Sequence, residues 1–131
     1  MTIGHLASKS GVPASTIRYW ERIGILPKAA RSSGQRRYSQ DDVHRLALLR
    51  LARACGFRLE EMRHLMHGFS PDTPASQRWR LLARKKKAEL DRQIAQLKAM
   101  RRVVDRVSEC KCAELSNCGR VAASVIGASG R

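Results

Sequence analysis

From Ser76 to Val107 the chain runs without a glycine or a proline, and this stretch limits the fold more than any other. A helix of that length extends very roughly 50 Å at ~1.5 Å per residue. Ala83, Leu90, Leu97 and Val104 recur every seven residues along it, joined by Ile94, Met100 and Val107. Most other positions are charged, so the apolar stripe is narrow and has to be covered by a partner. The chain has no second long helix to receive it. Self-pairing as a two-fold homodimer is the simplest arrangement that buries the stripe.

The residues before this stretch are predicted to form a small helical domain. Thr2 is a cap for a helix carrying Ile3, Leu6 and Ala7, and Gly11 ends it. Pro13 opens a second helix, PASTIRYWERIG, closed by Gly24. Two short helices joined by a tight glycine turn form a helix-turn-helix pattern. The second helix offers Ser15, Thr16, Arg18 and Tyr19, side chains able to reach phosphates or base edges. Leu26 to Tyr38, LPKAARSSGQRRY, reads as a short basic β-ribbon, a wing that grips nucleic-acid backbone. Ser39-Gln40-Asp41-Asp42 starts a third helix that reaches about Ala54, stopped by Gly56. A fourth helix runs from Leu59 to about His67, and GFSPDTPA links it to the long one.

Charge points the same way. Lys and Arg number 26 against 11 acidic residues, a formal net charge of +15, which favours a polyanionic partner. No apolar run approaches the roughly 20 residues of a membrane-spanning helix. The N-terminal MTIGHLASKSG lacks the basic start and apolar run of a signal peptide. A cytoplasmic protein is expected, in a compartment where thiols stay reduced. No nucleophile–base arrangement, phosphate loop or HExxH is present, so an enzyme is not expected.

Three of the four cysteines then stand out. Cys110, Cys112 and Cys118 lie in SECKCAELSNCG with C-x-C-x5-C spacing, which in a reducing compartment suggests metal or redox chemistry. Three thiolates suit a soft ion, or Zn²⁺ with a fourth ligand from water, Glu109 or Glu114. They also suit direct oxidation, because Lys111 and Arg120 nearby favour thiolate. The plainer alternative is a structural zinc or simple packing. Cys55, at the end of an apolar helix, is expected to be a buried small hydrophobe.

In combination, TIGHLASKSGVPASTIRYWERIGIL, RSSGQRRYS, the two-helix segment and the long helix resemble the MerR family of bacterial transcription regulators over residues 1 to 118. The resemblance implies a mainly α chain: a winged helix-turn-helix with its accessory helix pair (residues 1–70), an antiparallel coiled-coil dimerisation helix (71–107) and a cysteine-containing effector loop with its tail (108–131). It implies a homodimer on a palindromic promoter, distorting the DNA so that RNA polymerase can use it. By position, the implied DNA contacts are Thr16, Arg18 and Tyr19 on the recognition helix and Arg36 in the wing, with Tyr38 supporting the wing. Trp20 stands where the family usually has a second Tyr, and a phosphate contact there is expected with altered geometry.

Two branches of the family bear on the thiols. Cys110 and Cys118 resemble the loop pair of the copper, silver and gold sensors, and Ser76 falls where divalent-metal sensors often have Cys. Cys110, Cys112 and Cys118 also match the last three ligands of the SoxR-type iron–sulfur regulators. The first ligand there falls on Val107, which cannot ligate, and such a cluster needs four. A soft metal ion, Cu(I)-like or of the Zn/Hg type, or a thiol-reactive signal is therefore the expected effector. The alternatives are an iron–sulfur cluster, or a constitutive DNA-architectural protein whose cysteines are structural.

Overall fold

The computed structural model describes residues 1–32 and 34–129, with side chains at all of these except 32, 36 and 127–129. Two compact units follow one another, Met1–Ala88 and Glu89–Arg131.

The first unit begins with α1 (Ile3–Ser10) and α2 (Ala14–Arg22). Thr2 caps α1, its hydroxyl accepting the His5 N–H at 3.2 Å. Gly11 ends it at φ 74, a left-handed conformation that costs glycine little, with its N–H on the Ala7 carbonyl. The sharp turn at Gly11 brings α2 back against α1, the helix-turn-helix expected from the sequence. The wing follows as an antiparallel pair, β1 (Ala30–Ser32) and β2 (Gln35–Arg37), in the register Ala30↔Arg37, Arg31↔Arg36, Ser32↔Gln35. Next come α3 (Gln40–Ala54) and α4 (Leu59–His67). The Asp42 carboxylate accepts the Ser39 N–H at 2.9 Å, the reach-back of a capping box.

Leu6, Ile17, Trp20, Ile25, Leu26, Leu46, Leu49 and Met62 form the centre of the core. Each buried aliphatic or aromatic side chain of this size contributes about 1.5–3 kcal/mol, so the helices are held by tertiary packing more than by their own short length. Trp20 is 2% exposed, its ring packed into the core on the Ile17 side of α2, yet it lines the surface hollow that Thr16, Arg50 and Arg53 also line. One expectation fails here. Cys55 is exposed, not buried. It occupies the C-cap of α3, with Gly56 at φ 85 turning the chain immediately after it, so it lies past the helix's packed face.

The long helix, α5, spans Ala75–Ser108, within a residue of the span read from the sequence at each end. Its early turns pack on the first unit through Leu82 and Lys86, both buried. Farther along, Leu90, Ile94, Leu97, Met100 and Val104 are exposed, Leu97 at 62% and Val104 at 64%. The heptad stripe is thus uncovered in the single chain. The second unit ends in α6 (Leu115–Ser129), fifteen residues where the sequence suggested only a helix turn. No helix among the described residues is long and apolar enough to cross a membrane.

Candidate functional site

On the first unit a basic face is built around α2. Ile17, Trp20 and Glu21 turn inward, which leaves Arg18 and Tyr19 exposed. Arg22 stacks over the Tyr19 ring at 5.3 Å, limiting the ring's freedom. Thr16 is half-buried at the start of α2, beside Arg50 and Arg53 of α3 in one surface hollow of about 310 Å³. The Arg50 guanidinium donates to the Ser10 carbonyl at 2.9 Å, which fixes it over the turn between α1 and α2. A second hollow, of about 480 Å³, is lined by Arg18 of α2 and by Arg31 and Gln35 of the wing. Of the sequence-derived residues, Thr16 and Arg18 thus line two different hollows, and Tyr19 is exposed on the same helix. The side chain of Arg36 lies outside the described residues. Arg31 belongs to the basic wing read from the sequence, whereas Arg50 and Arg53 are two arginines among many there, and only the fold brings them beside α2.

Tyr38 is buried, at 5% exposure. Its hydroxyl donates to Glu21 Oε1 at 2.7 Å, and the Ala29 N–H donates to Glu21 Oε2 at 3.1 Å. Glu21, 4% exposed, thus ties both feet of the wing to the recognition helix. The sequence offered no sign of this, since an acidic residue on a short helix reads as solvated.

On the second unit the thiols converge. The Sγ atoms of Cys110, Cys112 and Cys118 all lie within 4.8 Å of one another. Cys110 and Cys112 sit in the loop after α5, and Cys118 is in the first turn of α6. The close spacing exists because α6 starts only seven residues past the end of α5 and returns Cys118 to Cys110, sulfur to sulfur at 3.4 Å. The Cys112 N–H points at Cys110 Sγ at 3.3 Å. Hydrogen bonding from the Cys112 side chain, then from its N–H and from Cys118, holds the Cys110 thiol below its ordinary range. Cys112 is the opposite case. Its hydrogen bonds to Cys110 and Cys118 keep its proton, and it is pushed up to about 12. Cys112 thus serves as the hydrogen-bond donor to Cys110. A cavity of about 630 Å³ adjoins the sulfurs, walled by Val103 and Val107 of α5 and Val121, Val125 and Ile126 of α6. Among the described residues no other group of His, Cys, Asp or Glu is gathered closely enough to hold a metal ion.

Comparison with known proteins gives a consistent set of likenesses. The family described as MerR HTH family regulatory protein matches residues 1–68, and the one described as MerR, DNA binding matches residues 43–107. The HTH-type transcriptional regulator HmrR of Rhizobium leguminosarum bv. viciae is 38% identical over 80% of this chain and 81% of its own. The HTH-type transcriptional activator SoxR homolog of Chromobacterium violaceum is 30% identical over 90% of this chain and 80% of its own. Among solved structures, the transcription regulator PbrR691 from Ralstonia metallidurans CH34, in complex with lead(II), superposes with a TM-score of 0.74 at 28% identity, covering 87% of this chain and 90% of that one.

Proposed function

Since the chain belongs to the MerR family of helix-turn-helix transcription regulators, we propose that it is a homodimeric sensor in which a soft metal ion on Cys110, Cys112 and Cys118 switches transcription from a palindromic promoter. The three sulfurs within 4.8 Å of one another carry the reading. With metal–sulfur bonds of about 2.3 Å, thiolates on one trigonal ion stand roughly 4 Å apart, so the donor set fits without rebuilding the loop. Thiolates select soft ions such as Cu(I) over hard ones. The lead(II) bound to one structural relative agrees with this.

In this reading Cys110 and Cys118 are the primary ligands. Thiols must lose their protons to ligate, so binding releases protons. The exposed stripe of Leu90, Ile94, Leu97, Met100 and Val104 is the dimer contact. Thr16, Arg18, Tyr19 and Arg36 meet the promoter, with Tyr38 behind the wing. RNA polymerase uses the promoter once the dimer distorts it. Residues 1–70 bind DNA, 71–107 pair the copies and 108–131 receive the signal.

The test is metal content. Protein purified without oxygen and titrated with Cu(I) should stay colourless and retain about one ion per chain, and Cys110→Ser with Cys118→Ser should retain none. A red-brown protein carrying iron and sulfide would replace this reading with the iron–sulfur one. Equal retention by the double variant would remove the site altogether.

A further inference from the structure

Four consecutive basic residues, Arg84-Lys85-Lys86-Lys87, look alike in the sequence, yet Lys86 alone of them is buried, at 3% exposure. Its ammonium donates to Glu61 Oε1 at 2.8 Å and to the Gly56 carbonyl at 3.0 Å, and lies 5.1 Å over the Phe57 ring. One side chain of α5 thereby holds the turn after α3 and the first turn of α4. Eight residues earlier on the same face of α5, Arg78 donates to the carbonyls of Leu65 and Met66, in the last turn of α4, at 3.1 and 3.2 Å. Leu82, buried, lies between them at the i+4 position. The two helices run antiparallel, and α5 grips α4 at both ends.

α4 in turn grips the recognition helix. The Arg63 guanidinium donates to the carbonyl of Ile23, the C-cap residue of α2. His67 Nε2 donates to the Ile25 carbonyl at 3.0 Å. Arg63 and His67 are one turn apart, on one face of α4. A continuous hydrogen-bonded connection therefore runs from α5 through α4 to the residues that end α2. Lys86 is buried and Glu61 partly buried; desolvation offsets attraction in such a pair, and its best-attested use is to fix one arrangement over others.

We propose that α4 is the relay between the dimer helix and the recognition helix, with the Lys86–Glu61 pair as its positioning contact. Displacement of α5 is delivered through Lys86 and Arg78 to α4, and through Arg63 and His67 to the C-terminal end of α2. The inference rests on the metal-switching reading for its signal but not for its mechanics.

The test compares the full-length wild type with Lys86→Met/Glu61→Gln, which removes both charges so that neither is left buried alone, and with Lys86→Arg, which keeps the charge. Each is assayed for affinity to a duplex selected from a random pool, for Ag(I) binding by competition, and for transcription from a template carrying the selected site with and without Ag(I). The double variant should bind DNA and Ag(I) within about threefold of wild type but lose at least tenfold of the Ag(I)-dependent induction, and Lys86→Arg should recover most of it. Hydrogen exchange supplies a readout that needs no metal: amides of Leu59–His67 should exchange at least tenfold faster in the double variant, with α5 unchanged. If Ag(I) does not induce the wild type, the metal reading fails, and exchange alone decides the relay. Induction at the wild-type ratio, unchanged exchange in α4, or DNA affinity falling in step with induction would each overturn the proposal. A double variant too unstable to assay would overturn it as well, because the pair would then be holding the fold.

Discussion

Replacing Tyr38 with Phe removes one oxygen and leaves the ring in place, so it isolates the bond that ties the wing to the recognition helix. The Tyr38 hydroxyl donates to Glu21 at 2.7 Å, and both side chains are at most 5% exposed. No cavity term enters, because the lost atom is polar and the packing volume is retained. A hydrogen bond to a charged group contributes about 1.5–3 kcal/mol. A loss of about 2 kcal/mol in a domain of this size lowers Tm by roughly 8–16 °C. The same variant should weaken DNA binding, since Glu21 also holds the Ala29 N–H at the wing's other foot and loses part of its orientation. Chemical denaturation and a DNA titration at fixed salt check both effects. A loss below about 0.5 kcal/mol, the level of an ordinary surface change, with unaltered DNA affinity would refute the idea that this bond anchors the wing.

Other outcomes follow from the same geometry. Gly11→Ala puts a side chain at φ 74, with its Cβ 2.9 Å from the Arg50 guanidinium, and should cost about 1–2 kcal/mol in a urea melt. Leu97→Glu, in the exposed stripe, should shift the protein from dimer to monomer in sedimentation while leaving the helical circular dichroism of the first unit intact. Iodoacetamide at neutral pH should modify Cys110 well before Cys112, whose proton is held to about 12; Cys112→Ala should move the onset of Cys110 alkylation to higher pH, and peptide mapping reads both. Burial raises Glu61, but hydrogen bonds from Lys86 and the Arg58 N–H outweigh it and hold its carboxyl below the ordinary 4.5. The Lys86–Glu61 contribution is thus present at neutral pH and lost as pH falls through the depressed value, so the acid-unfolding midpoint should move to higher pH when Lys86 becomes Met.

The local signals in the chain are legible because they act locally. Thr2, Gly11 and the Ser39–Asp42 pair end or begin helices through bonds to near neighbours, and the run from 75 to 108 has nothing to interrupt it. What failed to show was decided by tertiary neighbours. Lys86 differs from Lys85 and Lys87 only in facing α4, which the pattern of charges cannot reveal. Glu21 and Tyr38 are seventeen residues apart and meet because the wing folds back on α2. Trp20 packs its ring into the core while lining the hollow beside Thr16, a placement the pattern along α2 does not reveal. The tail reads as a single helix turn because Gly119 and Gly127 lower helix propensity, though its apolar Val121, Val125 and Ile126 share a cavity wall with α5. At the thiols, the spacing indicated a cluster, but only the return of α6 brings Cys118 to within 3.4 Å of Cys110.

Transcription from a purified template carrying the selected duplex site tests the central claim most directly. One equivalent of Cu(I) per chain, without oxygen, should raise transcript several-fold with the wild type and not at all with Cys110→Ser/Cys118→Ser, while both proteins occupy the DNA equally. Equal transcript from the two proteins in the presence of Cu(I), or no response from either, would contradict it.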